Sequence, residues 1–156
     1  MQDAASLIRL LLLAVDGQTY ALHLEAVDRV LRMAEVTPLP GAPDAVEGVI
    51  NIQGEVIPVA SIRRRLGLAH RGVAVSDSLV VAHARTRRLA IIAESVLGVV
   101  ERPADAVVST GDIVARGIQH IEGVLKTSDG LVLIQDLDRF FSPEEEQSLD
   151  LALERV

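Results

Sequence analysis

Asp136 and Asp138 are the residues most like a working acid–base pair, two carboxyls separated by one residue. General acid–base chemistry needs two such groups held in different protonation states. Asp136, however, opens the run Asp136-Leu137-Asp138-Arg139-Phe140-Phe141, which reads as a helical turn. A leading acid there caps backbone amides and complements the helix dipole. Ser61 holds the same place in an earlier stretch, and serine is also a good cap. Capping accounts for both. His23, His70, His83 and His120 are scattered without metal-ligand spacing. His23 lies between Leu22 and Leu24 and reads as a packed or half-exposed structural histidine. Neither a Gly-rich phosphate loop nor a nucleophile elbow is written in the chain. With no cysteine, disulfides and thiolate metal sites are excluded, a usage that suits a reducing cytoplasm. The expectation is therefore a protein that is not an enzyme, with no catalytic residue, cofactor or metal.

Two basic clusters remain, Arg63-Arg64-Arg65 and Arg85-Thr86-Arg87-Arg88. They read either as a solvated helical turn and hairpin tip or as a surface for an acidic partner. A small-barrel nucleic-acid binder is the alternative class. The net charge of −7 argues against affinity for a phosphate backbone, and the clusters lack the aromatic side chains on which single strands stack.

The elements that would carry these residues are written twice. Residues 47–66, EGVINIQGEVIPVASIRRRL, overlay 122–141, EGVLKTSDGLVLIQDLDRFF, without a gap. Upstream, LLLLAVDGQTYALHLEAV (10–27) overlays LVVAHARTRRLAIIAESV (79–96), apolar on apolar. Ordered agreement over two stretches implies duplication of a small module. Nearly half of the 156 residues are apolar, 49%, but only 2% are aromatic. A core of Val, Leu, Ile and Ala fits a small β-rich body. Two lobes of this size would be marginal alone, so they are expected to share an apolar seam.

Turn chemistry then places the strands. Asp16-Gly17, Gln53-Gly54 and Asp129-Gly130 predict hairpin turns. Pro58 marks an edge or bulge, TPLPGAP (37–43) a rigid surface loop, and Gly67 the end of a helical turn over 61–66. Residues 103–119 predict a connector longer than its counterpart. Val27–Met33 has no clean apolar face as a strand, which reads either as core packing on both sides or as an exposed apolar side chain in a protein-binding groove near the seam. Ser142-Pro143-Glu144-Glu145 predicts a capped helix over 143–155, with Leu149, Leu153 and Val156 docking and an acidic face in solvent. Short strands with tight turns, about five to a module, predict small closed barrels, one over 7–70 and one over 77–141, within a single domain spanning 1–156. The opening MQDAASLIRLLLL shows no basic n-region and no cleavable apolar segment, and Leu10–Val15 is far short of the ~20 residues that span a bilayer, so a soluble chain is expected.

The run Val46-Glu47-Gly48-Val49-Ile50-Asn51-Ile52-Gln53-Gly54-Glu55-Val56-Ile57-Pro58-Val59, following the proline loop, matches V-x-G-V-x-N-hydrophobic-x-G-x-hydrophobic-x-P-V. With the ending GLVLIQDLDRFFSPEEE, it closely resembles the CheW family of bacterial chemosensory adaptors, from about residue 7 to 148. The resemblance implies two tandem SH3-like five-stranded barrels sharing an apolar seam, with short helical turns and a C-terminal helix. It implies a non-enzymatic, cytoplasmic scaffold, recruited to receptor arrays at the inner membrane without inserting into it. The implied partners are the cytoplasmic tip of chemoreceptors, the regulatory domain of a CheA-type histidine kinase and, in rings, further copies. Carried over by position, Val27, Val30, Gly48, Asn51 and Gln53 lie at or near the receptor-facing groove, and Arg63 on a partner-touching part of the first barrel. The family often has N-L-R-G where this chain has Asn51-Ile52-Gln53-Gly54, and V-D-L-R where it has Ala60-Ser61-Ile62-Arg63. Those departures leave open a paralogue serving pili or biofilm signalling.

Overall fold

The computed structural model describes residues 6–69, 71–109 and 120–156. β1 (Leu7–Val15) and β2 (Gln18–His23) form a hairpin about Asp16-Gly17. Both turn residues have positive φ, 54° and 77°, the twist that joins right-twisted strands across two residues. A 3-10 turn, Leu24–Ala26, leads to β3 (Val27–Arg32). β4 (Val46–Ile52) and β5 (Glu55–Ala60) turn at Gln53-Gly54, with φ of 51° and 91°. α1 (Ile62–Arg65) follows, N-capped by the Ser61 side chain, which accepts from Arg64 N. β6 (Ser78–His83), β7 (Arg88–Ala93) and β8 (Ser95–Pro103) come next. Then come the short β9 (Val107–Ser109), β10 (Ile121–Thr127) and β11 (Gly130–Gln135).

Two sheets result. One runs β3-β6-β7-β5-β4 and the other β8-β1-β2-β11-β10-β9. Each encloses its own core. Leu31, Ile50, Ile52, Ile57, Val59, Leu79, Val81, Ala90 and Ile92 form one cluster drawn from all five strands of the first sheet. A single face of five successive strands meets itself only when the sheet wraps, so this sheet is a barrel (barrel 1). Ile8, Leu10, Ala21, Val100, Val107, Leu125, Val132 and Ile134 do the same for the second (barrel 2). The intervening positions of the central strands face outward, yet Leu11, Leu13, Tyr20 and Leu22 are buried against Val80, Ala82, Leu89 and Ile91. This is the shared seam. It explains why these strands are apolar without alternation: both faces are covered.

The duplication holds down to register. β1 loses step with β8 at Leu12/Leu13, and β6 with β3 at Val27/Arg29, leaving Leu97 and Asp28 as matched bulges. A second matched pair of bulges puts Glu47 beside Gly48 and Glu122 beside Gly123. Both glycines are there for close approach. A Cβ on Gly48 would lie 2.3 Å from the Thr37 carbonyl oxygen, and one on Gly123 2.4 Å from Val107 Cγ1.

The sheets do not divide the chain into the contiguous halves 7–70 and 77–141. Barrel 1 is the stretch 27–93, and barrel 2 joins the N-terminal hairpin to residues 95–135. Connector length is the reason. Only Glu94 separates β7 of barrel 1 from β8 of barrel 2, and three residues in a 3-10 turn separate β2 from β3. To pair with its own hairpin, each following strand would have to pass across it, two strand spacings or ~10 Å sideways. Connectors this short step instead onto the other sheet.

Smaller expectations shift too. The last hairpin turns at Ser128-Asp129, one residue before the glycine pair that composition favoured. Thr37 bridges to Val49, and Leu39 is buried in the seam cluster, so the proline loop is anchored. The 103–119 connector contains a 3-10 turn and β9; residues 110–119 lie outside the described residues. The last helix, α2 (Pro143–Leu153), has a full capping box between Ser142 and Glu145. Leu149 and Ala152 bury its inner face, whereas Val156 is exposed. Its acidic face is solvated at Glu144 and Glu154 but partly bound elsewhere: Glu145 takes Arg65, and Glu146 and Asp150 take Arg87.

Candidate functional site

One end of barrel 1 gathers part of the expected groove. Val27, Asp28 and Arg29 from β3, Ile52, Gln53 and Glu55 from the β4–β5 hairpin, and Arg88 line a recess of about 330 Å³. Gln53 owes its place to the left-handed turn conformation. Asn51 holds that turn closed, its Oδ1 accepting from Gly54 N at 2.8 Å. Arg88 bridges Asp28 at 3.1 Å and Glu55 at 3.0 Å, pairing both carboxylates of the recess. Val27 packs partly against the seam, whereas Val30, on the outer face of the same strand, is 45% exposed. Gly48 is buried beneath the 36–37 segment. The structure thus brings Val27 and Gln53 together, sets Val30 and Asn51 nearby on the same strands, and gives Gly48 and Asn51 packing and turn roles of their own.

Arg63 is elsewhere. It sits where the two barrels meet, its guanidinium on Glu94 at 2.6 Å and Asp16 at 3.2 Å. That contact holds the Glu94 carboxyl below the usual carboxylate range. Arg71 and Asp77 of the strap between α1 and β6 cover the cleft around it, leaving about 20 Å³ of free space. Of the two clusters, Arg64, Arg65 and Arg87 are also committed inward. Arg64 makes a two-pronged contact with Glu47, Arg65 reaches the Phe140 carbonyl oxygen and Glu145, and Arg87 clamps α2. Arg85 and Arg88 stay exposed at the hairpin tip, as a solvated tip would have them.

A second cleft occupies the matching place across the seam, between barrel 2 and the β6–β7 turn. His23, Glu25, Arg85, Glu122, Gln135, Asp136 and Asp138 line it. It is open, about 280 Å³. His23 Nε2 lies 2.7 Å from Glu122 Oε2, and this hydrogen bond raises the imidazole pKa. Burial, then the neighbouring Glu122 charge, raises that of Asp136. Asp136 caps its 3-10 turn by accepting from Asp138 N, and Asp138 accepts from Arg85 N at 2.6 Å. The two aspartates are structural caps on an acidic rim. Among the described residues no group of His, Asp or Glu converges to hold a metal.

Exposed apolar side chains repeat from barrel to barrel. Val30 on β3 is matched by Val99 on β8, 50% exposed, and Val56 on β5 by Leu131 on β11. Leu97, the bulge residue of β8, adds a further 54%-exposed side chain on the same face as Val99. Leu97 and Val99 were not among the residues expected at the groove. The repeat itself was the signal that could have found them, because the overlay that sets 27 on 96 also sets 30 on 99.

A family model for the CheW-like domain matches residues 9–145. The chain is 28% identical over 141 residues to a chemotaxis protein CheW of Rhizobium meliloti, covering 86% of this chain and 87% of that one. It is 26% identical over 139 residues to a chemotaxis protein CheW of Thermotoga maritima, covering 89% and 91%. Among solved structures it resembles the scaffolding protein TtCheW from Thermoanaerobacter tengcongensis, with a TM-score of 0.80 at 21% identity over 90% of this chain and 96% of that one.

Proposed function

The chain belongs to the CheW-like domain family, and from that premise we propose that it couples the cytoplasmic tips of chemoreceptors to the regulatory domain of a CheA-type histidine kinase. The family makes it a chemotaxis scaffold and not an enzyme. The observation that supports the finer reading is the exposed apolar pair on the outermost strands of the two sheets, Val30 on β3 and Val99 on β8. Side chains of this kind suit an apolar helical surface such as a receptor tip. Val27, Gln53 and Asn51 border that face from barrel 1. Gln53 stands where many relatives carry arginine, so the recess with Arg29 and Arg88 has one fewer cation to offer an acidic receptor side chain. The kinase domain pairs with the free outer wall of a barrel, and copies of the chain extend the same pairing into rings. Among the described residues no helix is long and apolar enough to cross a membrane. Recruitment to an array at the inner membrane then comes through the receptor.

Co-sedimentation with a receptor cytoplasmic fragment and with the kinase regulatory domain tests this. Val30→Glu is the clean variant, because Val27 also packs in the seam. It is expected to weaken receptor binding at least ~10-fold, the effect of a charge in an apolar contact, while leaving kinase binding and Tm unchanged. Receptor binding equal to wild type would remove the β3 face from the site. Failure to bind both proteins would remove the adaptor reading.

A further inference from the structure

The outer strands β3 and β8 are equivalents whose apolar side chains match and whose charges do not. The strand register shows the match. Val30 lies opposite Val80 across the β3–β6 pair, and Val99 lies opposite Leu11 across the β8–β1 pair. The repeat overlays Leu11 on Val80, and both are buried in the seam. Two residues further along the same outer face, Arg32 lies opposite Ser78, and Glu101 opposite Arg9. The edge of barrel 1 thus carries a guanidinium where the edge of barrel 2 carries a carboxylate.

The surroundings of the two charges differ as well. Both side chains are exposed, and among the described residues neither takes part in an ion pair. Residues directly opposite in an antiparallel pair are ~5 Å apart at Cβ. Arg9 therefore balances Glu101 across the strands, whereas Ser78 leaves Arg32 unbalanced. The carboxylates of the recess on this side are already taken, since Arg88 holds Asp28 and Glu55. Arg29, which lines the recess, is a second exposed cation without an ion pair among the described residues. A chain of net charge −7 therefore shows two unpaired guanidiniums flanking an exposed valine along one strand.

The spacing fits a helix. Val30 and Arg32 are two strand residues apart, ~7 Å. Helix side chains three or four residues apart are separated by ~6 Å. An apolar residue seated on Val30 brings the residue one turn along over Arg32. A carboxylate at that place meets a guanidinium free to make two parallel hydrogen bonds.

We propose that Arg32 is a specificity-determining residue of the β3 face, taking a partner carboxylate that lies one helical turn from the apolar side chain seated on Val30. This rests on the reading of that face as the docking site of a helical partner. On barrel 2, Glu101 repels the same carboxylate. The acidic side of the partner therefore lies against barrel 1, although Val30 and Val99 are matched.

The test measures binding of the receptor cytoplasmic fragment to the full-length protein at low and high salt. Arg32→Glu is expected to weaken binding ~10-fold, because like charges are brought together. Arg32→Gln should weaken it ~3-fold, the size of an exposed ion pair, and that gap should narrow at high salt. Neither variant should change Tm or kinase binding. Carboxylates of the fragment's tip are then changed to lysine one at a time. One such change, a helical turn from an apolar residue, should restore binding to Arg32→Glu. Wild-type binding by Arg32→Glu, alongside weakened binding by Val30→Glu, would overturn this proposal and leave the β3 face standing. Wild-type binding by both would overturn the two together. A loss in Arg32→Gln that salt does not reduce, or the failure of every lysine change to restore Arg32→Glu, would also overturn it.

Discussion

Barrel 1 and barrel 2 keep the same bulges and the same strand register, and both set a glycine against a neighbouring backbone segment, yet they treat their seam clefts in opposite ways. The shared features are all backbone devices. A bulge, a left-handed turn or a missing Cβ is fixed by chain geometry, and one change there moves a whole strand. The differing features are side chains at the rim, where Arg63 became Asp138 and Asp16 became Arg85 without disturbing a hydrogen-bond ladder. A duplicated module therefore keeps its skeleton and varies what it shows to solvent.

The largest expected effect breaks the skeleton unequally. In Gly48→Ala the new methyl meets the Thr37 backbone carbonyl oxygen at 2.3 Å, which moves only with the bridged proline loop; in Gly123→Ala it first meets the end of the Val107 side chain at 2.4 Å. Overpacking of this kind costs about 1–3 kcal/mol. Urea unfolding should put Gly48→Ala at or above the top of that range and Gly123→Ala in its lower half. Equal losses would mean that the two close approaches are the same constraint.

A middle-sized effect separates the clefts. Arg63 is 13% exposed and holds two carboxylates, so Arg63→Ala should lower stability by about 1–2 kcal/mol, between the values for surface and buried pairs. Arg85→Ala, at the open cleft, should stay within about 0.5 kcal/mol. Comparable losses in the two variants would remove the distinction between a filled cleft and an empty one.

The smallest effect depends on pH. His23 faces Glu122 in cleft two, whereas Ile92 holds the matching place in cleft one. Because the folded state raises the His23 pKa, its contribution is complete below about 6.5 and is lost as pH rises through the raised value. His120 acts with the opposite sign: burial lowers its pKa, and its contribution is lost as pH falls below about 6.5. The difference in Tm between wild type and His23→Gln isolates the first. It should be widest near about pH 6 and close by about pH 9. A difference that does not vary with pH would show that the ring acts by packing alone.

Much of the fold was legible. Asp16-Gly17 and Gln53-Gly54 fixed two hairpins because only glycine and a few polar residues accept positive φ cheaply. Ser142-Pro143-Glu144-Glu145 announced α2 for a similar local reason. β9 escaped notice, since three residues carry no periodicity. The candidate site was less legible. Val27, Val30, Asn51 and Gln53 fell on one end of barrel 1, but Gly48 proved to be a packing glycine and Arg63 a seam residue. Exposure and pairing are properties of neighbours, and the neighbours of Arg63 lie at Asp16 and Glu94, far away in the chain.

The order of amino acids determined the duplicated β skeleton by itself, because turns, caps and apolar runs act within a few residues. It also carried the family likeness, in the motif at 46–59. Which barrel each hairpin joins was decided in three dimensions, where connectors of one and three residues cannot cross a strand and step onto the other sheet instead. The same is true of the two clefts. Whether a carboxylate meets an arginine of its own chain or faces open space depends on the strap of 71–77 and the seam, and both exist only once the barrels have packed.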